Sequence, residues 1–440
     1  MIYWKNLLGL TATVVLVAAF AVGCPDEEEA VNNEVVIGYS GPLSGPAAEY
    51  GEENRDGIKM AINDLNEAGG LSIGGEQYTL KLEALDDEAE PSQAVSNSQR
   101  LRDMHDVPAV FNPVATSISP TLEINEEADD EFIMMAYTST PLELQYDNDL
   151  AVYISPSFTS YVQHQAQWAA EEGWEDIAML VTAGAYGDGW REAFELLWEE
   201  ELDGNIIADH PVNYYEQTDF STEITSILDQ EADAILIGGP SATTALAIEQ
   251  AREMGFDGGF ILIDQAKINY LEEVLGDMEY LEDMIAQVPP EFAYTPGAAE
   301  FDERVEAEFE PTAVVWEHAL MYNAMFILAR AMEEADSIDD PYAIRQAMPD
   351  VLPLLDDETE YPLAFEYYDI FDNGRLKGVN NIAIVEDGKF GELETNVWPA
   401  ETQEEFEKVR NMLTIGDHVT EEGLNFLWFK EYGVYEPYDW

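Results

Sequence analysis

Four loops concentrate the side chains that could do chemistry. Ala115-Thr116-Ser117, Thr138-Ser139-Thr140-Pro141 and Gly184-Ala185-Tyr186-Gly187-Asp188-Gly189 offer hydroxyls, a phenol, a carboxylate and the backbone N–H groups of small residues. Gly38-Tyr39-Ser40-Gly41-Pro42-Leu43-Ser44-Gly45, with Tyr50-Gly51 behind it, is of the same kind. Such groups hydrogen-bond a small polar ligand. Covalent catalysis asks for more, a nucleophile beside its base. No G-x-x-x-x-G-K-[ST], H-E-x-x-H or G-x-S-x-G run occurs, and His105, His164, His210, His318 and His418 have no metal-ligand spacing. Binding without catalysis, metal or cofactor is therefore expected. A plainer use exists for the same residues, since Ser and Thr routinely cap helices and turns.

The elements that must position these loops alternate. Val35 to Ile37 is a β-branched run, and Ile58, Ala61, Ile62 and Leu65 recur at the spacing of one helix face. Strands are predicted at Tyr78 to Leu85, Val107 to Phe111 and Phe132 to Ala136, with helices at Pro91 to Arg102 and, after the loop Asn112 to Pro120, through Glu127. A second round follows: a helix at Tyr161 to Glu172, a strand at Ile177 to Val181, a glycine-rich loop at Thr182 to Gly189, then a helix carrying Trp190, Ala193, Phe194 and Leu197. Further strands are expected at Ile206 to Val212, Ala234 to Ile237 and Phe260 to Ile263, with helices near Asp219–Leu228 and Thr243–Met254. Gln287 to Pro296 reads as an extended crossing and Val314 to Met332 as a long apolar helix. Ala364 to Tyr368 and Asn381 to Val385 read as strands, and Phe371 to Gly378 as a hairpin turn.

This alternation predicts an α/β fold of two doubly wound, Rossmann-like lobes joined by a hinge, with the ligand at the carboxyl ends of the strands. The first lobe is assigned 34–157 plus 292–368 and the second 158–291 plus 369–390, leaving 391–440 as a C-terminal extension.

The charge of the 440-residue chain excludes some partners. Asp and Glu number 91 against 18 Lys and Arg, a net charge of −73. A phosphate backbone needs a basic footprint, so nucleic acid is excluded. Carboxylates spread through every segment instead suggest a solvated acidic coat suited to high salt. Cys24 is the sole cysteine. It follows a short basic n-region and the apolar stretch Leu7 to Val22, which reads as a signal peptide at 1–23. Ala21-Val22-Gly23-Cys24 resembles the bacterial lipobox, implying lipidation of Cys24 and an acidic tether over 24–33.

Gly38 to Gly45, Tyr50-Gly51, Gly57, Ala61-Ile62 and Asn66-Glu67-Ala68-Gly69-Gly70 closely resemble the opening pattern of the type I periplasmic binding proteins of ABC importers, in particular the branched-chain (Leu/Ile/Val) group. Asp86-Asp87 with Pro91 and Ala94, Ala115-Thr116-Ser117, Thr138 to Pro141, Ala185 to Gly189 and Gly374 to Gly378 agree, and the resemblance runs from about Glu34 to Lys389. It implies a monomeric extracytoplasmic receptor that delivers its ligand to an ABC permease. By the same resemblance Ala115 and Thr116 hold the ligand carboxylate with Ser139, the Thr138 carbonyl takes the α-ammonium, and Tyr50 and Tyr186 wall the cleft. Asp264-Gln265 stands where the family often has an acid for the ammonium, and Pro240-Ser241 where aromatic residues are common. Amino acids lead as ligands, with amides, urea-like molecules and small carboxylates as alternatives, and a signalling sensor as the rival role.

Overall fold

The computed structural model describes residues 33–398 apart from 129, 294, 357–360, 387 and 391–393. The signal peptide, Cys24 and the tether up to residue 32 lie outside the described residues, as do 399–440 of the C-terminal extension.

The first half of the chain forms β1 (Glu34–Gly41), α1 (Ala48–Glu67), β2 (Leu71–Ile73), β3 (Glu76–Asp86), α2 (Pro91–His105), β4 (Ala109–Asn112), α3 (Ala115–Thr121), β5 (Ile133–Ala136) and β6 (Ala151–Tyr153). Their sheet has the order β2-β3-β1-β4-β5-β6 and is parallel except for the β2–β3 hairpin at its edge. β4 and β5 are buried along their whole length, which is why they read as unbroken apolar runs instead of alternating ones.

The pattern repeats with α4 (Phe158–Glu171), β7 (Asp176–Val181), α5 (Ala185–Glu200), β8 (Asn205–Asp209), α6 (Ser221–Leu228), β9 (Ala234–Gly238), α7 (Ser241–Glu253), β10 (Gly259–Leu262), α8 (Ile268–Leu275) and β11 (Met284–Gln287). The chain then returns to the first core through α9 (Ala298–Phe309), α10 (Trp316–Glu334) and α11 (Pro341–Ala347), where Met321 and Met325 of α10 share one apolar cluster with Ile58 and Ile62 of α1. β12 (Asp369–Ile370), β13 (Leu376–Glu386), β14 (Lys389–Phe390) and β15 (Glu394–Trp398) close the second sheet, whose main path is β12-β13-β11-β10-β9-β7-β8. β13 starts at Leu376 in the core of the first lobe and ends at Ile384 and Val385 in the cores of the second. It is thus a connection between lobes, beside the stretches joining β6 to α4 and β11 to α9.

Several elements depart from expectation. The helix expected after Pro120 and through Glu127 instead occupies the expected loop, at Ala115–Thr121 with Pro120 inside it, and Asn125 pins a turn by donating from Nδ2 to the Phe132 carbonyl at 3.1 Å. Ala364 to Tyr368 is buried but makes no strand, only a bridge between Tyr367 and Leu354. Residues 185–189 belong to the first turn of α5, so the glycine-rich loop is shorter than its composition suggested. Part of the C-terminal extension, β15, pairs antiparallel with β13.

Candidate functional site

In each sheet the strand order reverses once, between β1 and β4 in the first and between β7 and β9 in the second. The loops leaving the carboxyl ends of these strands cannot cross over one another there, and the crevice they leave is where open α/β sheets bind ligands. The two crevices face each other and frame one cleft of about 590 Å³. Tyr50, Ala115, Thr116, Thr138 and Ser139 line it from the first lobe; Tyr186, Pro240, Ser241, Asp264 and Gln265 line it from the second. The structure thus brings these ten positions together around one space, while Ser40, Ser117, Thr140 and Asp188 of the same loops lie outside the lining.

Tyr50 and Tyr186 reach the cleft by the same device. Each lies in the first turn of a helix, and the glycine after it packs on the loop just left behind. A Cβ on Gly51 would stand 1.7 Å from the Pro42 carbonyl oxygen, and one on Gly187 1.7 Å from that of Thr182. Burial, then Glu317, pushes the Tyr50 phenol well up; burial, then Asp264, does the same for Tyr186. Both therefore remain protonated donors. Tyr50 donates to the Pro113 carbonyl at 2.9 Å, and Tyr186 donates to Asp264 Oδ1.

Asp264 is fixed from a second side by Trp190, whose Nε1 donates to the same Oδ1 at 2.8 Å. Both donors land on Oδ1, so Oδ2 takes neither. The neighbouring Gln265 turns its amide toward the Tyr215 hydroxyl at 3.2 Å. Ser241 Oγ accepts from the Lys267 backbone N–H at 3.0 Å, and Thr243 and Thr244 donate to the Pro240 carbonyl at 3.2 and 3.0 Å. Pro240-Ser241 therefore holds the β9 exit against the β10 exit.

On the opposite wall α3 begins at Ala115; Thr116 is exposed to the cleft, and Thr138 and Ser139 are buried. The role expected for the Thr138 carbonyl needs correction. It already accepts from Arg375 Nη1 at 2.7 Å, and a buried guanidinium beside it would repel a ligand ammonium. The same Arg375 donates to the carbonyls of Ser155 at 2.6 Å and Thr140 at 3.0 Å and pairs with Glu143, tying this loop to the turn before β13.

Three of the cleft residues that were not anticipated carry charges that bear directly on a ligand. Glu53 projects from α1, Lys267 from the turn before α8 and Glu317 from the first turn of α10. Lys267 Nζ lies 3.0 Å from Glu317 Oε1, an ion pair between the lobes. Asn269 Nδ2 donates to the Val314 carbonyl at 2.6 Å and Tyr270 to Glu49 at 3.3 Å along the same rim. Glu317 carried a signal, being a charge at the start of an otherwise apolar helix; Lys267 carried the scarcity of cations in this chain; Glu53 carried none.

Residues 34–368 match the family described as periplasmic binding protein. The leucine-, isoleucine-, valine-, threonine- and alanine-binding protein of Pseudomonas aeruginosa is 25% identical over 336 residues, covering 76% of this chain and 87% of its own. The Leu/Ile/Val-binding protein of Escherichia coli K12 is 23% identical over 319 residues, covering 70% and 81%. Among solved structures, the branched-chain amino acid transporter substrate binding protein LivJ from Streptococcus pneumoniae, in complex with isoleucine, superposes with a TM-score of 0.68 at 18% identity, covering 83% of this chain and 100% of its own. A solute-binding protein from R. palustris in complex with 4-hydroxybenzoate has the same TM-score, 0.68, also at 18% identity, covering 84% and 100%.

Proposed function

Because the chain belongs to the periplasmic binding protein family, we propose that it is an extracytoplasmic receptor that closes its two lobes around an α-amino acid and presents it to an ABC permease. The observation that carries this reading is the pairing, across one cleft, of a hydroxyl-bearing wall from the first lobe with the braced carboxylate of Asp264 from the second. A zwitterion needs both. Thr116 and Ser139, with the N–H groups at the start of α3, suit its carboxylate, and Asp264 Oδ2 suits its ammonium. Asp264 is chosen over Gln265 because two donors from α5 orient it. Closure follows when one ligand bonds both lobes at once, since those bonds exist only in the closed state.

The relatives named for leucine, isoleucine and valine support amino acids as the ligand class. A lone aromatic carboxylate, as bound by the R. palustris neighbour, is opposed by the lining: Glu49, Glu53, Glu88, Glu90, Asp264 and Glu317 face it, with Lys267 as the single cation among the described residues there. No helix among the described residues is long and apolar enough to cross a membrane. Attachment to the membrane would rest on lipidated Cys24, which palmitate labelling of the wild type and a Cys24→Ser variant tests.

Titration calorimetry of the protein in high salt against a panel of L-amino acids should give binding to at least one, and Asp264→Asn should weaken it about tenfold or more, the scale of a hydrogen bond to a charged group. Heat-silent titrations across the panel, or full affinity in the variant, would refute the reading.

A further inference from the structure

The cleft wall made by α1 and the first turn of α10 is acidic and incompletely satisfied. Glu317 is 1% exposed yet lines the cleft. Its Oε1 is served by Lys267, whereas Oε2 is buried with no hydrogen-bond partner among the described residues. A buried carboxylate oxygen without a donor is costly, and such a group marks a place where something else donates.

Glu53 lies beside it for a local reason. A Cβ on Gly57 would stand 2.4 Å from the His318 carbonyl oxygen, so α1 rests directly on the start of α10, and Glu53 is one turn earlier on the same face of α1. Burial, then the charge of Glu317, pushes the Glu53 carboxyl well above the usual range. Lys267 relieves only part of this, because its ammonium also donates to the Asp264 carbonyl.

The rest of the lining points the same way. Among the described residues no Leu, Ile, Met, Phe or Trp borders the cleft, and the aromatic ones that do are tyrosines: Tyr50, Tyr137, Tyr186, Tyr215 and Tyr270. An aliphatic side chain would meet Val114, Val315, prolines and the faces of the tyrosine rings, but no large aliphatic partner. A cationic one would meet carboxylates and electron-rich ring faces.

We propose that Glu317 and Glu53 form a second subsite that binds the ammonium or guanidinium terminus of a basic amino acid, extending the receptor's range from aliphatic ligands to lysine, ornithine and arginine. The proposal rests on the amino-acid reading of the cleft: the α-carboxylate and α-ammonium occupy the Thr116–Ser139 wall and Asp264, and the side chain runs toward α1 and α10.

The test is calorimetric titration of the full chain with lysine, arginine, ornithine, glutamine and leucine, repeated in Glu53→Gln and Glu317→Gln. Lysine should bind wild type, and its affinity relative to leucine should fall about tenfold or more in each variant. Taking the ratio within one variant cancels any change in lobe closure, and Glu53→Gln leaves the Lys267 pair intact should Glu317→Gln misfold. Leucine binding without lysine binding overturns the proposal and leaves the amino-acid reading standing. So does lysine binding with an unchanged ratio in both variants, or glutamine bound as tightly as lysine. Silence toward every amino acid overturns both.

Discussion

Replacing Lys267 by Met should loosen the closed cleft without unfolding either lobe. The pair it forms with Glu317 spans the lobes at 3.0 Å, with side chains 12% and 2% exposed, so salt screens it less than a surface pair. Removing one member of a buried pair strands a charge, at about 3–5 kcal/mol where that charge stays buried. Here it has an exit, because opening the cleft returns Glu317 to water. The penalty is therefore capped by the free energy of opening and emerges as a population shift, not as global instability. If about 2 kcal/mol reaches the open–closed equilibrium, the closed state falls about thirtyfold relative to the open one, and a ligand that needs both lobes weakens toward the same factor. The rim bonds of Asn269 and Tyr270 remain, so opening should be partial. Small-angle scattering of the unliganded protein reads the opening, and calorimetry with leucine reads the affinity. Glu317→Gln and the double variant complete the cycle. With neither charge stranded, the double variant should recover most of the leucine affinity. Equal losses in the Lys267 single variant and the double variant would refute the reasoning. So would a large fall in Tm with affinity intact.

Two other perturbations probe the scaffold beneath the site. Gly187→Ala places a Cβ 1.7 Å from the Thr182 carbonyl oxygen and must push α5 off the β7 exit, with an expected loss of about 1–3 kcal/mol in denaturant unfolding and weaker ligand binding as Tyr186 moves; wild-type values for both would contradict the packing argument. His318 is buried, its Nδ1 accepts from the Val315 N–H at 3.2 Å, and burial holds its pKa down to about 4. A depressed folded-state pKa contributes stability that is present above the unfolded value of 6.5 and lost as pH falls through about 4. His318→Gln should flatten that segment of the stability profile relative to wild type, and parallel profiles would count against it.

The fold was legible because its signals are local. β4, β5, β9 and β10 are buried at every position and read as short apolar runs. Where burial and pairing part company the reading failed: Leu363, Ala364 and Phe365 are fully buried, yet their segment is packed as coil. α8 was not anticipated, since only Ile268 and Leu271 of its eight residues are buried and two apolar positions are too few to show a period. In the site, Tyr50 and Tyr186 were marked by the glycines beside them, whereas Ala115, Thr116, Thr138, Ser139 and Asp264 were found through the resemblance to the family. Glu53 sits on a regular helix, where neither the backbone nor the neighbouring residues mark a carboxylate that faces a cleft, and Glu317 is marked only by its place at the start of an apolar helix.

Composition explains why those acids stayed hidden and what their burial means. With 91 carboxylates in the chain, one more is no signal. An acidic coat works by hydration, however, and Glu317 has none, so the coat cannot account for it. The cations run the opposite way. Only 18 Lys and Arg stand against that field, and surface screening would be their natural use. Instead Lys267 and Arg375 are withdrawn from solvent, at 12% and 1% side-chain exposure. Lys267 spans the cleft rim, and Arg375 binds the Thr138 to Thr140 loop to the turn that leads into the connecting strand β13. Both sit where the lobes must move relative to each other while the ligand walls keep their shape. In a molecule whose surface repels itself, the salt-shielded Lys267–Glu317 pair ties the lobes across the cleft while Arg375 anchors the connecting strand in the first lobe, which is why the cleft, and not the cores, is where loss of Lys267 should be felt first.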